Sequence, residues 1–252
     1  MPKIFDSHFH IIDFRFPLIP NQSYLPPEFT CANYLKRVEH LNVVGGAVVS
    51  GSFQGFDQTY LLAALKELGP SFVGVTQLPA IVGEEEILRL NAAGVRAVRF
   101  NLKRGGSEGV EHIESFAKKV YEIAGWHIEL YVDSRELAGL SKILLSLPSV
   151  SIDHLGLSKE GFPALLFMIE RGVKVKVTGF GRVDFDVPQA LKDISKANPD
   201  AMMFGTDLPS TRSPRPFLDE DVQLILDTFD DVLSNKILYS NAVRLYVPKT
   251  GL

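Results

Sequence analysis

The chain carries a single cysteine, Cys31, so no disulfide can form within it and stability must rest on packing. A reducing, cytoplasmic setting is the expectation that follows. Long apolar runs are missing too. The stretch Val43–Val49 holds two glycines and falls far short of the roughly 18 residues that a membrane helix needs. The opening Met-Pro-Lys-Ile-Phe-Asp-Ser-His places a carboxylate and a histidine where a signal peptide would carry its apolar core, so neither export nor membrane insertion is expected. Neither sign of charge dominates: 26 Lys and Arg stand against 30 Asp and Glu, a net charge of −4. That balance gives no general electrostatic reason to hold nucleic acid or an anionic membrane, so any anion site must be local. Also absent is the G-x-G-x-x-G fingerprint of dinucleotide-binding sheets, because the first expected strand ends in Ser7-His8-Phe9-His10.

What the sequence does have is repetition. Short β-branched or aromatic runs at 3–9, 45–50, 72–77, 95–101, 127–132, 149–154, 173–178 and 201–206 predict eight strands. Amphipathic stretches at about 31–42, 57–68, 83–93, 108–124, 134–146, 160–171, 187–197 and 217–229 predict a helix after each. In the fourth, Val110, Ile113, Phe116, Ala117, Val120 and Ile123 recur at three- and four-residue steps and form one apolar stripe. Eight strand–helix units in 252 residues, 46% of them hydrophobic and with no Ser/Pro/Gly-rich linker, predict a single-domain (β/α)8 TIM barrel spanning 1–252. A further helical segment at about 235–246 should cover one end of the barrel or its outer wall. The oligomeric state stays open, since an apolar helix face in sequence serves a core and a subunit contact equally.

In parallel barrels the reactive groups lie where strands end and loops begin. Strand one ends with His8 and His10, which lie two apart on one face and can converge on one atom. Strand two ends with Ser50, strand four with Arg99 and Asn101 followed by Arg104, strand five with Tyr131 and Asp133, strand six with His154, and strand eight with Asp207. Arg182 leaves strand seven through Thr178-Gly179-Phe180-Gly181. Guanidinium forks match carboxylates, so a small anionic substrate is expected. Some of these arginines could instead pair with protein acids such as Asp153 or Asp184. Arg212 and Arg215 sit in a loop long enough to lean over the mouth. Lys176 should face the barrel interior and needs a carboxylate such as Glu129. His127 falls near the bottom of strand five and reads as structural, while His40 and His112 read as solvated surface residues.

Together Asp6-Ser-His-Phe-His10, Gly94-Val-Arg-Ala-Val-Arg-Phe-Asn101, Trp126-His-Ile-Glu-Leu-Tyr131, Ile152-Asp-His-Leu-Gly156, Gly205-Thr-Asp-Leu-Pro209 and Ser240-Asn-Ala-Val-Arg-Leu245 resemble the amidohydrolase superfamily. Within it they resemble the branch of the 2-pyrone-4,6-dicarboxylate lactonases, over nearly the whole chain. The resemblance implies a distorted barrel that uses water to hydrolyse esters, lactones or amides, often with one or two divalent metals. Here Tyr131 stands where metal-dependent members place a strand-five histidine, and Arg99 where others place a bridging lysine. The lactonase branch shares these features and implies hydrolysis of a small carboxylated lactone, 2-pyrone-4,6-dicarboxylate-like or of the sugar-acid kind, with no metal required.

On that reading Asp207 is the base, and His8, His10 and His154 donate hydrogen bonds to the oxyanion. Arg99, Arg104 and Arg182 hold carboxylates, while Tyr131, Ser50 and Asn101 orient the substrate. The alternatives are a Zn²⁺-dependent amidohydrolase or decarboxylase with His8, His10, Asp207 and possibly His154 as ligands, and a catalytically silent barrel that binds a small molecule.

Overall fold

Eight parallel strands pair in chain order in the computed structural model, which describes residues 2–246. They are β1 Ile4–Phe9, β2 Val43–Val49, β3 Phe72–Thr76, β4 Val95–Asn101, β5 His127–Tyr131, β6 Val150–Ile152, β7 Lys174–Val177 and β8 Met202–Phe204. The helices that follow them are α1 Cys31–Val38, α2 Thr59–Leu68, α3 Glu84–Ala92, α4 Ile113–Ala124, α5 Leu137–Leu144, α6 Phe162–Glu170, α7 Val187–Ala197 and α8 Glu220–Thr228. No helix among the described residues is long and apolar enough to cross a membrane.

Helix α4 shows how the pattern becomes packing. Ile113, Phe116, Ala117 and Val120 are its buried stripe, and the helix stops at Gly125, whose left-handed φ of 69° is cheap only without a Cβ. It starts later than periodicity alone predicts. Ser107 and Glu108 spend their side chains on the backbone N–H groups of Asn101 and Ala80, at 2.7 Å each, and residues Val110–His112 form a separate 3-10 turn. Likewise α8 begins at Glu220 rather than 217, because the Phe217 and Leu218 N–H groups are taken by Ser210 and Asp221 side chains.

Strand alternation sorts the apolar residues into two cores. Outward-facing residues such as Val48, Val98, Ile128, Leu130, Ile152 and Val175 pack under the helices. Inward-facing Phe5, Ala47, Val49, Val73, Val75, Ala97 and Met203 fill the lower barrel, together with Ala242 and Tyr246. Those last two belong to the C-terminal segment, which runs α9 Asp231–Asn235, a π-helical turn Lys236–Ser240 and α10 Asn241–Tyr246. Of the two placements open to it, the segment covers the end of the barrel. Tyr246 stacks on Phe5 with ring centroids 5.6 Å apart, and its hydroxyl donates to Glu129.

The distortion lies at the seam between β8 and β1. No ladder joins them among the described residues; two backbone hydrogen bonds, Asp207 N–H to His8 O and His10 N–H to Leu208 O, both 2.7 Å, and one from the Ser7 hydroxyl to the Met203 carbonyl close the gap instead. The Asp6 carboxylate adds a clamp. It accepts from the Thr206 N–H at 2.8 Å, the Thr206 hydroxyl at 2.7 Å and the Tyr34 hydroxyl at 3.0 Å. Burial pushes its pKa up to about 6 against the pull of those donors.

Above the apolar plug the interior turns ionic. Lys176 is fully buried and donates to Glu129, the partner expected from sequence, with Asp153 Oδ1 3.6 Å from its Nζ. Burial works to raise the pKa of Glu129, but Lys176 and His127 outweigh it and hold the carboxylate ionised. Removing one member of a buried pair costs about 3–5 kcal/mol. Lys176→Met should therefore lower the urea-unfolding free energy by about that amount, and Lys176→Met combined with Glu129→Gln should recover part of it. A single variant as stable as the parent would show that the pair carries no such weight.

Candidate active site

The mouth of the barrel brings together residues from seven strand ends, all but that of β3. His8 and His10 point the same way from β1, with ring centroids 5.0 Å apart and planes at 89°. His154 follows β6 in a left-handed turn, with φ of 50° at His154 and 52° at Leu155, and lies 4.7 Å from the His8 ring. Asp207 follows β8, also left-handed at φ 59°. Two glycines make the approach possible. A Cβ on Gly205 would sit 2.8 Å from the His8 backbone nitrogen, and one on Gly179 would sit 2.7 Å from His154 Nδ1.

One carboxylate oxygen is the focus. Asp207 Oδ1 lies 3.9 Å from His8 Nε2, 3.8 Å from His10 Nε2 and 3.9 Å from His154 Nε2. These distances exceed a hydrogen bond, and Oδ1 itself has no partner among the described residues. The other oxygen, Oδ2, accepts from Arg182 Nε at 2.7 Å. Burial raises the Asp207 pKa above its ordinary value, and the Arg182 guanidinium works against that rise.

The tautomers follow from the partners. His10 Nδ1 lies 2.7 Å from the Val49 carbonyl, which can only accept, so Nδ1 carries the hydrogen and Nε2 offers a lone pair. Burial, aided by Arg99, pushes the His10 pKa down to about 3 and keeps the ring neutral. His10 therefore cannot donate to an oxyanion from Nε2, which corrects the role expected for it. His8 differs. Its Nδ1 accepts from the Lys176 ammonium at 3.3 Å, leaving Nε2–H as a donor, and burial followed by the charge of Lys176 lowers its pKa well below the usual range.

The arginines also divide. Arg99 spends its fork on Asp153 Oδ2, at 3.0 Å from Nε and 2.8 Å from Nη2, and reaches the Ser50 carbonyl from Nη1 at 2.8 Å. Burial would raise Asp153, yet Arg99 and Lys176 hold its pKa below the ordinary value. Arg182 serves Asp207 and the Thr211 carbonyl. The expectation of open forks on Arg99 and Arg182 is thus corrected: each already holds a protein acid. Ser50 is corrected as well, because its hydroxyl faces Tyr60 at 2.6 Å, away from the cleft lining.

Asn101, Arg104 and Tyr131 do line the cleft, which opens beside a shallower one that Arg104, Tyr131 and Arg182 also line. Arg215 pairs with Asp221 at 2.8 Å, away from that lining. His40 and His112 sit exposed beside surface acids, and His127 lies beside Glu129 and Tyr246 deep in the barrel.

Sequence reasoning missed Tyr24, Phe53 and Thr211 in the lining, all on loops with no periodic signal. It named Asp153 only as a possible partner for an arginine, although the adjacent Asp153-His154 pair was a signal that could have promoted it.

Comparison with known proteins bears on the chain's family and fold. A family model described as amidohydrolase matches residues 5–247. The 2-pyrone-4,6-dicarboxylate hydrolase of Comamonas testosteroni is 28% identical, over 97% of this chain and 90% of its own. A 4-sulfomuconolactone hydrolase of Rhizobium radiobacter is 26% identical, over 98% and 91%. The crystal structure of an Acinetobacter baumannii protein, described as a probable 2-pyrone-4,6-dicarboxylic acid hydrolase with citric acid bound, superposes with a TM-score of 0.83. That superposition covers 96% of this chain and 98% of the other, and at 23% identity it is a likeness of fold. With the family model covering nearly all of the barrel, the chain belongs to the amidohydrolase family and is a hydrolase.

Proposed function

We propose that the protein hydrolyses a small carboxylated lactone, 2-pyrone-4,6-dicarboxylate-like or of the sugar-acid kind, by attack of a water held between Asp207 and His10. One observation carries this reading. Two lone-pair acceptors, Asp207 Oδ1 and His10 Nε2, face each other at 3.8 Å, and only a group with two hydrogens or a positive charge satisfies both. A water between them points both hydrogens at bases and its lone pair at the cleft. The relatives that hydrolyse lactones support the substrate class.

The steps use this chain's own groups. As the water oxygen attacks the ring carbonyl, its proton passes to Asp207, whose raised pKa makes it a stronger base than a surface carboxylate. The oxyanion that forms accepts from His8 Nε2–H, with His154 beside it. The ring C–O bond then breaks, and the leaving oxygen takes the proton from Asp207, which regenerates the carboxylate and releases the open-chain acid. Arg182, donating to Oδ2, stabilises that carboxylate between turnovers. Arg104, Asn101 and Tyr131 hold the substrate, with Arg182 adding its remaining donors, so that water attack becomes effectively intramolecular.

The same donor set also fits one divalent ion, with His8, His10 and Asp207 as ligands. When bound, such an ion would lower the pKa of a coordinated water. His8 would then carry its hydrogen on Nδ1, where Asp153 Oδ1, which has no hydrogen-bond partner among the described residues, lies 3.4 Å away. The metal-independent reading is favoured by charge: Glu129, Asp153 and Asp207 are already matched by Lys176, Arg99 and Arg182.

Three outcomes are expected. Asp207→Asn should lose at least about two orders of magnitude in kcat on a carboxylated lactone; near-parental turnover would remove its role as base. Nitrogen NMR of the His10 ring should show a neutral imidazole with the hydrogen on Nδ1 at pH 5, two units above its depressed pKa of about 3. A ring that charges near pH 6.5 would contradict the assignment. Protein purified without added metal should contain little zinc by elemental analysis and keep its turnover after chelation, whereas stoichiometric metal with loss on chelation would establish the metal-dependent reading.

A further inference from the structure

Most arginines of the loop layer hold an acid, as Arg99, Arg182, Arg135 and Arg215 do. Arg104 and Arg212 do not. Both line the cleft, and the Arg104 side chain makes no hydrogen bond or ion pair with any described residue. Arg212 is held by neutral groups alone. Its Nη1 donates to Asn21 Oδ1 at 3.1 Å and to Gln22 Oε1 at 3.4 Å, its Nη2 donates to the Asn21 carbonyl, and its guanidinium lies 4.4 Å from the Tyr24 ring centroid. Of five N–H groups, those left unspent are Nε–H and one on Nη2, the parallel pair that matches a carboxylate edge.

Asn21 links the two arginines. Its Nδ2 donates to the Arg104 carbonyl at 3.1 Å while its own oxygens hold Arg212, so one side chain in the 13–30 loop fixes the backbone of one arginine and the head of the other. Two like charges gathered at a half-enclosed rim repel, and the pKa of Arg212 is lowered by burial and then by Arg104. An arrangement that costs free energy through repulsion and finds no counter-ion among the described residues is satisfied by an anion from outside.

We propose that Arg212, held by Asn21 and stacked on Tyr24, is a specificity-determining residue that clamps a second carboxylate of the substrate together with Arg104. This rests on the reading of the cleft as a substrate site. The clamp lies at the rim, above the carbonyl that Asp207 and His10 serve, so the preferred substrate is a dianion, with one carboxylate toward the remaining donors of Arg182 and the other between the two guanidinium groups that hold no acid. Arg212 takes no part in the proton transfers and acts on the selection of ligand.

The test reads binding rather than turnover, using isophthalate as a planar dianion and benzoate as its monoanion in calorimetric titrations at pH 7.5. The parental protein should bind isophthalate more tightly than benzoate. Arg212→Gln should reduce that preference by about tenfold or more, the weight of a charge-assisted hydrogen-bonded contact. Arg212→Lys, which keeps the charge and gives up the fork, should fall between the two, and it carries the comparison if the glutamine variant loses its thermal unfolding transition. A parental protein with no preference for the dianion would overturn the proposal, as would Arg212 variants that keep the parental preference. A lactone panel without turnover would end the reading of the substrate as a lactone and leave this result standing.

Discussion

Arg182 and Asp207 meet at 2.7 Å, the aspartate fully enclosed and the guanidinium nearly so. An ionised carboxylate left alone in such a place would take up a proton, because the penalty for removing a charge from water is several kcal/mol even after relaxation. The same constraint governs Asp153 against Arg99 and Glu129 against Lys176. Each acid and its cation come from different strands or strand ends, so the pairs cross-link the barrel as they neutralise it. With its charges balanced internally, the mouth can hold the Asp207 carboxylate close to three neutral imidazoles without any of them being drawn into a permanent hydrogen bond with it.

That arrangement separates two kinds of group that look alike in composition. His8 and His10 are two residues apart on one strand and present the same atom type to the same oxygen. The Val49 carbonyl beneath one ring and the Lys176 ammonium beneath the other give them opposite hydrogen-bonding character. A lone pair and an N–H thus stand side by side, and the difference is fixed from below, where water does not reach.

Much of the architecture was legible in sequence because it rests on local rules. The short β-branched and aromatic runs became strands at every predicted place, and the four groups at the ends of β1, β6 and β8 came together as strand direction required. Pairing was not legible in the same way. Arg99, Arg104, Arg182 and Arg212 are equivalent in sequence, and only the fold decides that the first and third lie against Asp153 and Asp207. Ser50 ends its strand as expected, but the turn after β2 directs its hydroxyl to Tyr60 on α2. The 13–30 loop gave no signal at all. Its contribution through Asn21 and Tyr24 depends on contacts 83 and 191 residues away along the chain, which no periodic pattern encodes.

The seam and the floor of the barrel have a consequence for the order in which the protein can mature. Asp6 waits for Thr206, 200 residues later, and Glu129 waits for the hydroxyl of Tyr246, 117 residues later. As a nascent chain emerges, β1 through β7 can begin to assemble while their ionic side chains still face water at both ends. The charges inside the barrel are therefore sealed only late in synthesis, once the closing strand and Tyr246 have been made.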